Sequence, residues 1–374
     1  MTRMNLNSDK GPLQQCGTMP PPVKRLVEVP STWLPTLVVV IDSEEEFNWN
    51  EPFNADNTSV ENIALQLLSQ GILDKYGVVP TYVVDYPVAT TPAAVSVLRQ
   101  IFAEGRCDVG AHLHPWVNPP VEGPVDVYHS YPGNLPAATE RRKLVALTEV
   151  IAENFGVAPR IYKAGRYGIG VATPGILRKL DYAMDVSVVP YTDFSGDGGP
   201  DFRGTPSAPF LTDYNICELP LSVHFAGVLA RLGGRFFPLL ETNAARRLRL
   251  GGIFGRLGIL ERLRLTPEGH TLEDMIRQTR AALALGTRLF MLTYHSSSLL
   301  PGATPYVRND AEQSAFLEAL DGYFHHFMHE VGGRAGTVAG VASALVPEIF
   351  ACKNSAAKLD SELRGSKNVS EARF

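Results

Sequence analysis

The sequence lacks several features that define large protein classes. Its 374 residues include only four cysteines, far apart and without a C-x-x-C pair, which favours free thiols over a disulfide framework. The longest aliphatic run, Leu37 to Ile41, is far too short to span a membrane as a helix. No glycine-rich nucleotide-binding motif follows a predicted strand, so dinucleotide and P-loop chemistry have no support. The net charge of −5 argues against a protein that works by wrapping nucleic acid.

Hydrophobic residues make up 45% of the chain, which is enough for a sizeable core. Residues 1–30 are polar and proline-rich, without the apolar run of a secretory signal, so we predict a mobile leader and a cytoplasmic protein. A polar tail is predicted at 351–374. The sequence thus predicts one folded domain over 31–350.

Within this domain, short apolar runs alternate with helical patterns. The predicted strands are Thr36–Asp42, Val79–Asp85, Cys107–His114, Arg160–Ala164, Met184–Val189, Ile216–Val223 and Arg288–His295. The predicted helices cover about 59–76, 136–155, 271–286 and 311–330. Such alternation implies parallel strands with right-handed crossovers. It favours an α/β fold, a distorted (β/α) barrel of about seven parallel strands, with an open doubly wound sheet as the alternative.

Polar residues fall where the predicted strands end. Asp42 and Glu44 end the first strand, Asp85 ends the second, and His295 ends the last. Because the C-terminal rim of such a barrel gathers catalytic groups, these residues are candidates for a site.

His112 and His114 are the strongest signal. Residues i and i+2 of a strand share a face, so both imidazoles converge, and two histidines with a carboxylate form an open metal site. The alternative is a pair of histidines that form hydrogen bonds on a solvated loop. Asp42 and Glu44 also share a face, and which of them binds the metal is left open by the sequence.

Two further features are weaker alone. The stretch Lys163–Gly168 offers a cation that could orient a carboxylate or bind substrate oxygens, although it could equally form a surface turn. His295 is a candidate general acid, with a buried structural histidine as the alternative.

Together, four stretches resemble the polysaccharide deacetylase family of carbohydrate esterases, most closely its WalW-type branch. They occur in the family's order within about 36–345, and they are Val39–Phe47, Gly110–Trp116, Lys163–Gly168 and Leu292–Ser296. The resemblance implies a distorted (β/α) barrel that removes an acetyl group from a sugar. It also implies a divalent metal, usually zinc, held by an acidic residue and two histidines, with a second acidic residue as base and a late histidine as acid.

The chain departs from the family pattern in three places. Ser43 follows Asp42 where the family has a second aspartate, the two histidines are two rather than four residues apart, and Lys163 replaces an arginine. We assign Asp42 as base and His295 as acid, with Arg166 orienting Asp42. The remaining predicted site residues are metal ligands and substrate-binding residues. They are Glu44, His112 and His114 for the metal, and Trp116, Tyr167 and Asp85 for the substrate.

The predicted function is therefore metal-dependent hydrolysis of an amide or ester on an acetylated carbohydrate, in polysaccharide or glycolipid biosynthesis. Two alternatives are a metal amidohydrolase acting on a non-sugar substrate and a catalytically inactive carbohydrate-binding barrel.

A basic insertion near 231–264 is not explained by these motifs. It contains eight arginines and two glutamates in a chain that is acidic overall. Arginine suits phosphate, and a basic amphipathic segment can lie on an anionic membrane. We predict that the insertion helps to hold a phosphate-linked carrier of the sugar, nucleotide or lipid, with peripheral membrane contact. The alternative is a set of solvated arginines whose neighbouring leucines cover the barrel.

Overall fold

The computed structural model describes residues 17–350. The predicted tail and residues 1–16 of the predicted leader lie outside these described residues. The strands are β1 (Val23–Leu26), β2 (Thr36–Ser43), β3 (Thr81–Val84), β4 (Asp108–Leu113), β5 (Ile161–Ala164), β6 (Met184–Asp185), β7 (Phe210–Thr212), β8 (Cys217–Glu218), β9 (Val223–Ala226), β10 (Glu261–Arg264), β11 (Leu289–His295) and β12 (Arg334–Ala335).

The helices connect most of these strands. They are α1 (Gln66–Lys75), α2 (Tyr86–Thr90), α3 (Pro92–Ala103), α4 (Ala137–Phe155), α5 (Thr173–Lys179), α6 (Gly233–Leu240), α7 (Asn243–Arg247), α8 (Leu250–Arg256), α9 (Leu272–Ala284), α10 (Asp310–His325) and α11 (Val338–Leu345). No helix within 17–350 is both long and apolar enough to cross a bilayer.

The central sheet contains seven parallel strands in the order β8-β6-β5-β4-β3-β2-β11. Antiparallel β7 and β1 extend its β8 edge, and β12 pairs in parallel with the start of β2. All eight residues of β2 are buried, as expected of a β-branched run between two neighbouring strands. The predicted α/β class and parallel order are confirmed.

The seven strands form an open, distorted barrel. No strand ladder within 17–350 joins β11 to β8. Single hydrogen bonds bridge this gap, from Thr293 N to Leu265 O at 3.2 Å and from Met291 N to Ser222 Oγ at 2.8 Å. Ser222 and Leu265 flank the β9–β10 hairpin, which therefore lies where an eighth strand would close the ring.

Two predicted strands are shorter or divided in the structure. The run 184–189 yields only β6, and 216–223 yields β8 and the start of β9. Buried carboxylates replace the ladder here: Ser187 N donates to Asp185 Oδ1 at 3.0 Å and Val188 N to Glu218 Oε1 at 3.1 Å. Backbone donors bound to side chains cannot pair with a neighbouring strand, which ends β6.

The sheet also includes part of the predicted leader. β1 pairs with β7, with Val23 opposite Thr212 and Leu26 opposite Phe210. The mobile leader predicted to residue 30 therefore extends too far. All four residues of β1 are exposed, so this edge strand lacks the alternating pattern by which sequence reveals a strand.

Candidate active site

The C-terminal ends of β2, β4 and β11 meet on one rim of the sheet. In the β2–β11 ladder His295 lies opposite Asp42, and in the β4–β5 ladder His112 lies opposite Lys163. This register brings together residues that are up to 253 positions apart in sequence, because parallel strands present the same end to the same side.

Glu44, His112 and His114 form a buried group suited to a metal ion. Their donor atoms lie within 4.8 Å of one another. Glu44 Oε2 lies 3.6 Å from His112 Nε2 and 3.4 Å from His114 Nε2. Each of the three residues is 2% exposed. Two imidazole nitrogens and one carboxylate oxygen are the donor set of open zinc sites.

Hydrogen bonds on the far side of each ring orient these imidazoles. His112 Nδ1 lies 3.0 Å from Lys163 O, and His114 Nδ1 lies 2.8 Å from Glu45 Oε2. Lys163 O can only accept, so His112 Nδ1 carries the hydrogen, and the carboxylate form of Glu45 accepts from His114 Nδ1 in the same way. Each Nε2 then presents its lone pair towards Glu44. Burial lowers the pKa of His114, more than the nearby carboxylates raise it, which favours the neutral form that a metal requires.

Glu45 and Asp85 support this group from behind. Glu45 Oε1 accepts from Trp116 Nε1 at 2.7 Å, and Glu45 N donates to Asp85 Oδ2 at 2.7 Å. Burial raises the pKa of Glu45 to about 8 and that of Asp85 well above its ordinary value. Glu45, Asp85 and His114 also form a second possible donor group, but His114 Nδ1 is already bonded to Glu45 there.

Asp85 was predicted to bind substrate, and the structure contradicts this. Its side chain is completely buried and does not line the cavity. Asp85 Oδ1 accepts from Val88 N at 2.8 Å and so caps α2. As the N-cap of α2, Asp85 serves the helix N-terminus rather than the substrate.

Asp42 is held by a buried cation. Lys163 Nζ lies 2.6 Å from Asp42 Oδ1 and donates to Thr293 Oγ1 at 3.0 Å. Burial would raise the pKa of Asp42, but Lys163, His112 and His295 together hold it below its ordinary value. Asp42 is therefore an ionised carboxylate beside the donor group, and its Oδ2 remains directed towards His295, 3.6 Å from Nε2.

Arg166 was predicted to orient Asp42, whereas Lys163 does so. Arg166 and Tyr167 both have positive φ, 53° and 60°, so the backbone turns sharply here. Arg166 Nη1 donates to Ser130 Oγ at 2.6 Å, and the guanidinium lies over the Tyr131 ring at 4.1 Å. Arg166 therefore forms part of the cavity wall.

His295 is positioned by Glu268, a residue that the sequence did not reveal. Glu268 Oε2 lies 2.8 Å from His295 Nδ1, and Oε1 accepts from the His295 backbone N at 2.9 Å. Burial would lower the pKa of His295, but Glu268, Glu44 and Asp42 raise it well above its ordinary value. Glu268 lies in a loop after β10, and neither spacing nor motif connects it with the end of β11.

These groups open into one cavity of about 540 Å³. Asp42, Glu44, His112, His114 and His295 lie on its floor or wall. Its aromatic lining consists of Phe47, Trp49, Phe53, Trp116, Tyr131, Tyr167, Phe194 and Tyr306. The predicted substrate-binding residues Trp116 and Tyr167 thus face the cavity, and Trp116 also stacks on His114 with ring centroids 4.3 Å apart.

No family model and no curated protein matches the sequence. Several solved structures match the chain at low identity. A putative polysaccharide deacetylase from Mycobacterium smegmatis matches with 17% identity and a TM-score of 0.49, over 87% of this chain and 95% of that one. A chitin deacetylase from Colletotrichum lindemuthianum matches with 12% identity and a TM-score of 0.42, over 87% and 93%.

A family 4 acetyl xylan esterase from Clostridium thermocellum, solved with a cobalt ion, matches with 12% identity and a TM-score of 0.38, over 83% of this chain and 91% of that one. The resemblance to polysaccharide deacetylases rests on the sequence motifs, and the WalW-type branch stays a prediction. Because the identities and TM-scores are low, the case for an activity rests on the site itself.

Proposed function

We propose that the protein is a metal-dependent hydrolase that removes an acetyl group from a carbohydrate. The observation that carries this proposal is the convergence of Glu44, His112 and His114 beside Asp42 and His295. Next to this group lie an ionised carboxylate, Asp42, and an imidazole whose pKa is raised, His295. This pairing of a base and an acid around a metal-ligand set is the requirement of acyl transfer to water.

The residues present fit a divalent metal, and we propose zinc. Glu44 Oε2 and the Nε2 atoms of His112 and His114 are the three ligands, since both Nδ1 atoms are occupied by acceptors. Two imidazoles favour zinc over the oxygen-preferring Mg²⁺ and Ca²⁺. Such a metal supplies a Lewis acid and lowers the pKa of water towards ~7.

Asp42 is the proposed general base. Its carboxylate is not a member of the metal-donor group, and Lys163 holds it ionised. It can therefore accept the proton of the attacking water while Glu44 stays with the two histidines. This arrangement supports Asp42 as base and Glu44 as ligand.

His295 is the proposed general acid. With Nδ1 held by Glu268, its Nε2 hydrogen faces Asp42 across 3.6 Å and is available to the departing amine or alkoxide. Trp116 and Tyr167 contribute to a wall rich in aromatic rings. Such flat apolar faces suit the C–H faces of sugar rings, which supports a carbohydrate substrate.

We further propose that the sugar is linked to a phosphate-bearing carrier, as expected in polysaccharide or glycolipid biosynthesis. Arg264 lines the cavity and forms no ion pair or hydrogen bond through its guanidinium with other described residues. Its guanidinium lies 5.9 Å from the centre of the Phe194 ring. A half-buried guanidinium without a carboxylate partner supports an anionic group on the substrate.

Acetate release tests this proposal directly. Zinc-loaded protein is assayed on acetylated amino-sugar oligomers, acetylated xylan and small acetamides, and the metal content of each purified variant is measured. We expect activity on the sugars, and loss of both zinc and activity in His112→Ala and His114→Ala. Activity on the acetamides alone would favour the amidohydrolase, and sugar binding without turnover would favour the inactive barrel.

The carrier is tested separately with Arg264→Gln. UDP-N-acetylglucosamine and neutral diacetylchitobiose serve as an anionic and a neutral ligand. Loss of a charged hydrogen bond should weaken binding of the anionic ligand by roughly ten- to a hundredfold and leave the neutral one unchanged. Equal effects on both ligands would contradict the carrier. The predicted cytoplasmic location is tested by cell fractionation.

A further inference from the structure

The segment between β9 and β10 exposes an unusual share of apolar surface. This segment, residues 227–260, contains α6, α7 and α8, and we refer to it as the helical insertion. Nineteen large apolar side chains are exposed within the described chain, and seven of them lie here. They are Val228, Leu232, Phe236, Leu239, Leu248, Ile253 and Leu257. Clustered exposure of this kind marks an interaction surface.

The helical insertion is strongly basic, with six arginines and one glutamate. Its exposed arginines form no ion pair with other described residues, and they are Arg231, Arg235, Arg247, Arg249 and Arg256. Its one glutamate, Glu241, already pairs with Arg262 at 3.0 Å, and Glu261, just after the insertion, pairs with Arg277. The surface therefore combines exposed leucines with uncompensated positive charge.

The helical insertion begins and ends beside the catalytic cavity. Hydrogen bonds close its base, from Val228 N to Gly258 O at 3.0 Å and from Leu229 N to Ile259 O at 2.9 Å. β10 continues directly from it and carries Arg264 into the cavity wall. Whatever binds the insertion is therefore brought close to the mouth of the cavity.

We propose that the helical insertion docks the protein on an anionic lipid bilayer. Its leucines enter the headgroup–acyl boundary while its arginines contact lipid phosphates, as in interfacial amphipathic helices. A second copy of this chain is a poor partner, because a symmetric contact would bring unpaired arginines together. The positive charge selects an anionic surface, and the exposed leucines select one with an apolar interior.

Vesicle flotation of the full chain tests this without any turnover, so its result is independent of the deacetylase proposal. The vesicles contain phosphatidylcholine alone or mixed with phosphatidylglycerol. We expect binding only to the mixed vesicles, weakened by salt. Each arginine near an anionic surface should increase the affinity for the mixed vesicles by roughly fivefold. The triple variant Arg231→Gln, Arg235→Gln and Arg256→Gln should therefore bind them about a hundredfold more weakly.

A second variant removes apolar contacts instead, with Leu239→Ser, Leu248→Ser and Leu257→Ser, which are 62%, 66% and 67% exposed. It too should lose vesicle binding, while circular dichroism shows an unchanged fold. The matched controls are equally exposed residues elsewhere, Arg99→Gln with Arg141→Gln and Lys179→Gln for charge, and Leu34→Ser with Leu67→Ser for apolar surface.

The outcomes separate the possible occupants. Loss of binding in both insertion variants, with retention in both controls, supports the bilayer. Equal binding to neutral vesicles, or binding that neither insertion variant changes, overturns the proposal. Leucine-dependent dimerisation seen by light scattering, without vesicle binding, would also overturn it and assign the surface to self-association.

Discussion

At the scale of single residues, Asp42 and Glu44 differ in what faces them. Glu44 faces two imidazole Nε2 atoms, and Asp42 faces the Lys163 ammonium. We therefore expect Asp42→Asn to retain bound zinc but to lose turnover by at least about a hundredfold, as for loss of a general base. Glu44→Gln should lose zinc affinity. Metal analysis and acetate release on the same preparations measure both effects.

The reverse pattern, with zinc lost from Asp42→Asn and kept by Glu44→Gln, would exchange the two roles. Glu46→Gln provides a matched control, because Glu46 lies outside the donor group and accepts from Asn62 N at 2.7 Å. It should change neither the zinc content nor turnover by a comparable amount.

Glu268 is a positioning residue for His295. Replacing it by Gln removes the main charge that raises the pKa of the imidazole, although burial opposes that rise. We expect Glu268→Gln to lower kcat by roughly ten- to a hundredfold with little change in KM or zinc content. Because His295 then loses its proton at a lower pH, the alkaline limb of the pH–rate profile should shift to lower pH.

The pH–rate profile distinguishes positioning from general loss of structure. An unfolded fraction would reduce the rate equally at every pH, and an unchanged alkaline limb would contradict the role of Glu268. Glu273→Gln, an exposed residue in the first turn of α9, is the control and should leave both the limb and kcat unchanged.

Part of this site was predictable from local geometry. The i and i+2 positions of His112 and His114 predicted their convergence because a strand fixes side-chain direction. The cation that orients Asp42 was assigned to Arg166 rather than Lys163, because no residue type signals the left-handed backbone at Arg166 and Tyr167. Glu268 was not predicted because its partner is distant in sequence.

At the scale of elements, α4 carries a buried carboxyl group. Glu140 is 1% exposed, and its Oε1 accepts from Thr173 Oγ1 at 2.5 Å. Burial raises its pKa to about 8, and the Asp185 carboxylate contributes to the rise. Between about 4.5 and 8 the folded protein keeps a proton that the unfolded chain has released, so this group's contribution to stability falls as pH rises.

Glu140→Gln should remove that dependence, because the amide is neutral and still accepts from Thr173. We expect the variant to unfold at a higher denaturant midpoint than the parent at about pH 8, and the difference to vanish below about pH 4.5. Glu153→Gln, exposed on the same helix, is the control. A difference that is constant across this range would show that Glu140 is ionised in the folded protein.

Elements with strong local signals were predicted well. The Thr271–Asp274 capping box is present at the start of α9, and Gly156, with φ of 75°, ends α4. The predicted helix 59–76 is instead a 3-10 turn, Glu61–Leu65, followed by α1. The predicted strands that are shorter or divided in the structure lie near Asp185 and Glu218, whose carboxyl groups accept from backbone N–H groups. Strand propensity does not reveal such tertiary bonds.

At the scale of the whole molecule, the proposed metal ligands come from two strands that are not neighbours. Glu44 follows β2 and the histidines belong to β4 and its end, with β3 between them. Hydrogen bonds, the Lys163–Asp42 ion pair and side-chain packing hold this rim together, and within 17–350 no ladder closes the β11–β8 side of the barrel. A metal bound across β2 and β4 would therefore link these two strands. Because the unfolded chain lacks the assembled site, metal binding would stabilise the folded protein by mass action.

We expect zinc to raise the Tm of the chelator-treated protein. At a free concentration about 100 times the Kd, the gain is about 2.7 kcal/mol, which for a chain of this length corresponds to roughly 4 °C. Calorimetry with increasing zinc measures the shift, and Tm should keep rising with the logarithm of zinc concentration. Glu44→Gln removes one proposed metal ligand and leaves every strand intact. This variant should show a much smaller shift in Tm over the same range of zinc concentration. An equal shift in the parent and in Glu44→Gln would place the stabilising zinc elsewhere on the chain, and an unchanged Tm in the parent would contradict a metal at this rim.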